Sequence, residues 1–146
     1  MKHRSNSMTP PDEARSRTMR SVKGSGNATT ELRMRALLKA AGLSGWRRHL
    51  PLPGRPDFAW PAVNVALFVD GCFWHGCPYC LRPMPRNNAD YWANKVARNV
   101  ARDRRVARTL RADGWAVIRV WEHSFSHPGR IVSRVARAIH RVRPPQ

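Results

Sequence analysis

The chain has 146 residues, enough for one modest core. Its 27 Lys+Arg against 9 Asp+Glu give a formal charge of +18, with few acids to interleave, which points to a polyanion, DNA or RNA, before a lipid surface. The polar, basic start reads as no secretory signal, no apolar run is long enough to span a bilayer, and three cysteines are an odd number for a closed disulfide framework.

Residues 1–27 are rich in Ser, Arg, Pro and Gly and poor in core formers. They read as a flexible basic arm, within which Arg15 to Val22 would become a short helix on a partner. Residues 28–146 read as a single domain. Thr29 or Thr30 caps a helix to about Ala41, with Gly42 as its stop and Leu32, Leu37, Leu38 and Ala41 as its buried stripe. Trp46 to Leu50 reads as a strand, broken by Pro51, Pro53 and Gly54. Asp57 to Trp60 is a short strand entered through Pro56. Val63 to Val69 is continuously apolar, as a strand buried on both faces must be. A turn at Pro61-Ala62 would pair these two strands antiparallel and bring Asp57 and the end of the second strand to one rim. Cys72 to Pro85 is an irregular loop with too little apolar content to order itself. A long basic helix runs from Asn88 or Asp90 to about Asp113, with Val96, Val100, Val106 and Leu110 inward and Gly114 after it. Trp115 to Trp121 is a further strand, and Ser126 caps a final basic helix from Gly129 to Val142. The expected order is α-β-β-β-α-β-α.

Cys72, Cys77 and Cys80 place three soft ligands in one loop, the last two as a Cys-x-x-Cys unit. Zinc takes four ligands in a tetrahedron, and a closed site of this kind is structural. His75 and His123 are the candidates for the fourth position. His123 is preferred, because the Val63–Val69 and Trp115–Trp121 strands, if parallel, end side by side. Free buried thiols are the alternative.

Asp57, at the head of a strand in a chain built for a polyanion, suits Mg²⁺, which neutralises a phosphodiester and orients or generates hydroxide. Asp70, Glu31 and Asp103 are the acids that would gather beside it, and His75 is the nearby group suited to proton transfer near neutral pH. The plainer readings are a turn cap for Asp57, a charge partner of its flanking arginines for Asp103, a helix-dipole acid for Glu31 and a zinc ligand for His75. Phe73, Trp74, Tyr91 and Trp92 are aromatics amid arginines, suited to stacking on bases or wedging between them; covering the zinc loop is the alternative for Phe73.

Gly54-Arg55-Pro56-Asp57, Gly71-Cys72-Phe73-Trp74-His75, Tyr91-Trp92 with Lys95 and Asn99, Arg102-Asp103-Arg104-Arg105, and Gly114-Trp115 to Val120-Trp121-Glu122 together resemble the very short patch repair (Vsr) mismatch endonucleases. The resemblance covers roughly residues 15–125 in order. It implies an α/β, restriction-endonuclease-like (PD-(D/E)XK-type) fold: a central mixed sheet flanked by helices, with a zinc-stapled loop. It also implies Mg²⁺-dependent nicking of one DNA strand beside a T:G mispair left by deamination of 5-methylcytosine. By position it makes Asp57 the magnesium ligand, with the backbone carbonyl of Val69 reaching the same ion. His75 becomes the catalytic histidine, and Asp103 and Glu31 supporting acids. Phe73, Trp74 and Trp92 become the major-groove wedge, and Met19 part of an arm entering from the minor groove. Cys72, Cys77, Cys80 and His123 fall on or near the zinc positions. Lys95 and Arg102 join the DNA-binding residues.

Three departures stand out: Asp70 where some members carry histidine, as a water orienter or direct ligand; His123 where some carry cysteine; and a different spacing from Gly76 to Cys80. The expected partner is double-stranded DNA with a T:G mispair, bound by a monomer in the bacterial cytoplasm at the nucleoid, away from any membrane. The competing readings are a non-enzymatic, zinc-stapled DNA-binding protein and a restriction-type nuclease acting on undamaged DNA.

Overall fold

Every residue of the central strand β2 (Val65–Asp70) is buried, in the computed structural model that describes residues 28–80 and 84–141. β1 (Phe58–Trp60) pairs with it antiparallel, Phe58 opposite Leu67, and β3 (Ala116–Trp121) pairs parallel on its other edge, Asp70 opposite Trp121, in the order β1-β2-β3. Alternate residues of β2 serve two cores. Val65, Leu67 and Val69 join Met34, Leu38, Ile131 and Val135 on the face covered by helices α1 (Ala28–Ala40) and α3 (Pro128–Arg141). Ala66 and Phe68 meet Leu110 of the long helix α2 (Ala89–Ala112) on the other face. A mixed sheet flanked by helices is the α/β architecture expected. This arrangement also explains the apolar run of β2, which has no solvent side on which to place polar residues.

The segment expected as a strand from Trp46 to Leu50 is not one. It pairs only at Arg47, through one bridge to Ala59. Trp46 turns edge-on to Phe58 with its indole N–H donating to the Leu43 carbonyl, His49 takes a left-handed conformation (φ 52°), and two prolines follow, so the ladder stops after one rung. The element order is therefore α-β-β-α-β-α with a 3-10 turn (Glu122–Ser126) before α3.

Helix α1 begins before the expected cap, and its buried stripe is Thr30, Glu31, Met34 and Leu38, while Leu32 and Ala41 are exposed. The helix is rotated to bring Glu31 to the sheet end, and Leu32, one residue along, turns to solvent. Helix α3 begins with Pro128 in its first turn, where the missing N–H costs nothing, and Ser126 bonds back to the His123 carbonyl rather than capping it. Helix α2 and β3 match their expected spans to within a residue or two. Met19, the rest of residues 1–27, and Val142 lie outside the described residues. No helix among the described residues is long and apolar enough to cross a membrane.

Two glycines allow close approach over α2. A Cβ on Gly54 (φ +75°) would stand 2.5 Å from Val106, and one on Gly76 (φ +61°) 2.9 Å from Val100. Both segments that carry site residues, the one leading to Asp57 and the one following His75, thus press their backbones against the same helix.

Candidate active site and metal centre

Because β2 and β3 run parallel and Asp70 pairs with Trp121, Cys72 and His123 both lie two residues past the same rung. The loop beyond Cys72 folds back, with Cys77 N–H donating to the Cys72 carbonyl (2.9 Å), and brings Cys77 and Cys80 alongside. His123 Nδ1 then stands 3.3, 3.5 and 3.3 Å from the sulfurs of Cys72, Cys77 and Cys80. In a tetrahedral zinc site, sulfur and nitrogen ligands are separated by about 3.6 Å. The donor set and its spacing fit zinc. Burial, with the two neighbouring thiols adding to it, pushes the Cys72 thiol up to about 12, a cost that a bound cation reverses. Of the two histidines open as fourth ligand, His123 is the one that stands with the three thiols in the structure.

Antiparallel pairing brings Asp57, just before β1, to the end of β2, where its Oδ2 accepts the Val69 N–H at 2.7 Å. The two residues expected at the magnesium are therefore bonded to each other through backbone and carboxylate. A cleft of about 510 Å³ opens there, lined by Glu31, Asp57, Val69, Asp70, Trp74, His75, Arg102 and Asp103. All five acid-base candidates of the sequence meet in it, drawn from α1, the β1 entry, the β2 end, the following loop and α2.

Inside the cleft the groups sort into two sets. In one, His75 Nδ1–H donates to Asp103 Oδ2 (2.6 Å) and lies 3.7 Å from Asp70. Burial alone would lower the His75 pKa, but the Asp103 hydrogen bond and the two carboxylate charges outweigh it, and the net shift is upward. Asp103 shifts the opposite way: burial raises it, and the bond to His75, aided by Arg119 and Arg102, brings it below the usual carboxylate range. With Nδ1 committed, Nε2 is the nitrogen left for chemistry.

The other set is Asp57 with Glu31. Burial first, then the neighbouring Glu31 and Asp70, push the Asp57 carboxyl up to about 7. Glu31 is buried; Arg48 binds its Oε2, and its Oε1 has no hydrogen-bond partner among the described residues. Crowded carboxylates with an orphaned buried oxygen fit a hard divalent cation.

Sequence reasoning missed two residues here. Arg119 of β3 donates to Asp70 Oδ2 (2.7 Å) and to the Asp103 carbonyl (3.2 Å), joining β2 to α2 behind His75. Its place among the apolar residues of a strand was the available signal. His49 lies beside Glu31, in a segment read as a strand and therefore passed over. Asn99, buried on α2, donates to the Trp74 carbonyl (3.1 Å) and fixes the segment that carries His75.

Phe73, Trp74 and Trp92 form one edge-to-face cluster with centroids 5.0 to 6.5 Å apart. Trp92 is buried, and Phe73 and Trp74 are half-buried. Lys95 sits 5.6 Å above Trp74, and Arg102 is exposed at the cleft edge.

The profile of the family described as DNA mismatch endonuclease Vsr matches residues 8–80. The chain is 37% identical over 127 residues to the type II nicking enzyme V.XorIIP of Xanthomonas oryzae pv. oryzae, covering 87% of this chain and 93% of that protein. It is 41% identical over 119 residues to the type II nicking enzyme V.NaeI of Lentzea aerocolonigenes, covering 78% and 70%. It is 37% identical over 108 residues to the DNA mismatch endonuclease Vsr of Escherichia coli K12, covering 74% and 69%.

Proposed function

The chain belongs to the Vsr family of DNA mismatch endonucleases, and on that premise we propose that it nicks one strand of duplex DNA beside a T:G mispair, using Mg²⁺. The reading includes a restriction-endonuclease-like fold, a monomer, and a basic arm over residues 1–27 that carries Met19 to the minor groove. The single observation that carries the hydrolytic part is the convergence of Asp57, Glu31, His75 and Asp103 on one cleft beside a basic helix.

Asp57 and Glu31 would hold the cation, which when bound supplies charge neutralisation and an acidified water. Every other task falls to the chain. The Val69 N–H holds Asp57 in place. Asp103 fixes the imidazole of His75 with Nε2 free, so that it can take a proton from water or give one to the departing oxygen. Arg119 neutralises Asp70, which serves better as a buried support for His75 than as a direct ligand. Cys72, Cys77, Cys80 and His123 would hold a structural zinc that locks the loop bearing Phe73, Trp74 and His75 to the sheet. Phe73 and Trp74 would enter the duplex, where unstacking costs least at a mispair, with Trp92 behind them and Lys95 and Arg102 on phosphates.

The test is a nicking assay on otherwise identical T:G and matched duplexes, with and without Mg²⁺. Nicking confined to the T:G duplex with Mg²⁺ is expected. Equal cutting of both duplexes would replace this reading with a restriction-type nuclease. Binding without cutting under all conditions would leave a DNA-binding protein.

A further inference from the structure

One ionisable side chain at the cleft has no part in the reaction outlined above. His49 stands at the rim with Nε2 3.7 Å from Glu31 Oε2, and the nearest ligand atoms of His49, Glu31 and Asp57 all lie within 4.8 Å of one another. His49 is held in the left-handed region (φ 52°), which non-glycine residues adopt only at a cost and which tends to persist where side-chain placement matters. Arg48, its neighbour, binds Glu31 through Oε2, while Oε1 of the same buried carboxylate has no hydrogen-bond partner among the described residues. Two adjacent residues thus split their work on Glu31: the guanidinium orients the carboxylate, and the imidazole stands where a further donor completes a pocket. His75 is not a member of the group of His49, Glu31 and Asp57; its imidazole lies against Asp103 and Asp70 instead.

We propose that His49 is a third protein ligand of the divalent cation held by Asp57 and Glu31, and that it tilts this site from Mg²⁺ and Ca²⁺ toward the first-row transition-metal cations, beginning with Mn²⁺. The proposal rests on the reading of the cleft as a cation site and adds both a ligand and a selectivity. Mg²⁺ and Ca²⁺ favour all-oxygen shells, whereas imidazole nitrogen gains affinity along the series that starts at Mn²⁺. Two carboxylates with one imidazole form a mixed set of that kind. The imidazole is exposed and can move toward the buried Glu31 and the half-buried Asp57, which narrows the 4.8 Å spread.

The experiment is Mn²⁺ binding to the full-length, zinc-loaded protein without DNA. It is followed by loss of the free-ion electron paramagnetic resonance signal, by nitrogen modulation in pulsed spectra, and by displacement with Mg²⁺. The wild-type chain should take up Mn²⁺ in a site that Asp57→Ala removes, with an imidazole nitrogen coupling that His49→Ala abolishes. His49→Ala should weaken Mn²⁺ by about tenfold or more while leaving Mg²⁺ within about twofold. His49→Gln, which offers an oxygen, should keep Mg²⁺ binding and still lose the nitrogen coupling. Unchanged Mn²⁺ affinity and coupling in His49→Ala would overturn the role of His49 and leave the cation site standing. Absence of Mn²⁺ binding abolished by Asp57→Ala would overturn the cation site itself, and this inference with it.

Discussion

The thiol cluster and the carboxylate cleft grow from the same end of β2 yet are finished in opposite ways. In the first, Nδ1 of His123 stands 3.3 to 3.5 Å from three sulfurs, a compact donor set that could hold one metal ion. In the second, acids from four chain segments surround open space, and among the described residues one buried carboxylate oxygen is unpartnered and the His75 Nε2 has no hydrogen bond. The first is a compact donor cluster, the second an open cleft. The loop from Cys72 to His75 joins the two, so a metal held by the thiols would also fix the position of His75.

The contrast breaks most visibly at Asp57. Asp57→Ala should lower nicking by about a thousandfold or more, while gel-shift affinity for the T:G duplex stays within a few fold. An Asp57→Ala protein that still nicks would remove the cleft from the chemistry. On the other side, Cys77→Ala should release the metal, which should amount to about one zinc per chain in the wild type. It should lower the melting temperature by about 10 °C, since losing a structural zinc costs several kcal/mol. A variant equally stable and equally zinc-bound would make the thiols merely buried.

Arg119→Met tests the support behind the cleft. It strands the buried Asp70 carboxylate and should cost about 2 kcal/mol in denaturant unfolding. Asp70→Asn in the same chain should restore most of that loss; a purely additive double variant would show that the pair is not coupled.

A smaller effect separates the two regions by pH. His75 is raised, so its contribution to stability is complete below its unfolded value of 6.5 and fades as pH rises through its folded value. Asp103 is lowered, so its contribution is present above 3.8 and fades as pH falls through its folded value. The stability difference between wild type and His75→Gln should therefore be largest between those limits and shrink at higher pH. A difference independent of pH would exclude the ion pair. The smallest expected change is in discrimination: Phe73→Ala should reduce the preference for T:G over matched duplex by about tenfold, measured as a ratio of nicking rates.

The apolar run of β2 was legible because a strand covered on both faces cannot carry polar residues. The basic stripe of α2 was legible because helical periodicity separates Val96 and Leu110 from the arginines. Cys72, Cys77, Cys80 and His123 could be grouped because zinc restricts its ligands to few residue types. By contrast, Leu32 was expected in the core and is exposed, since several rotations of α1 bury comparable apolar area and only docking beside β2 chooses one. Trp92 was grouped with Phe73 and Trp74 and is the buried member of the three, because the identity of an aromatic does not say which side of a cluster it takes.

By itself, then, the order of residues determined the charge, the strand and helix periods, and the kinds of ligand available, all properties that depend on neighbours a few positions apart. Tertiary structure alone decided that Arg119 compensates Asp70, that Asn99 holds the Trp74 carbonyl, and that His49 stands beside Glu31 at the cleft. Those contacts join segments brought together only when the parallel β2–β3 pair and its covering helices pack, and they depend on angles and distances that local sequence does not encode.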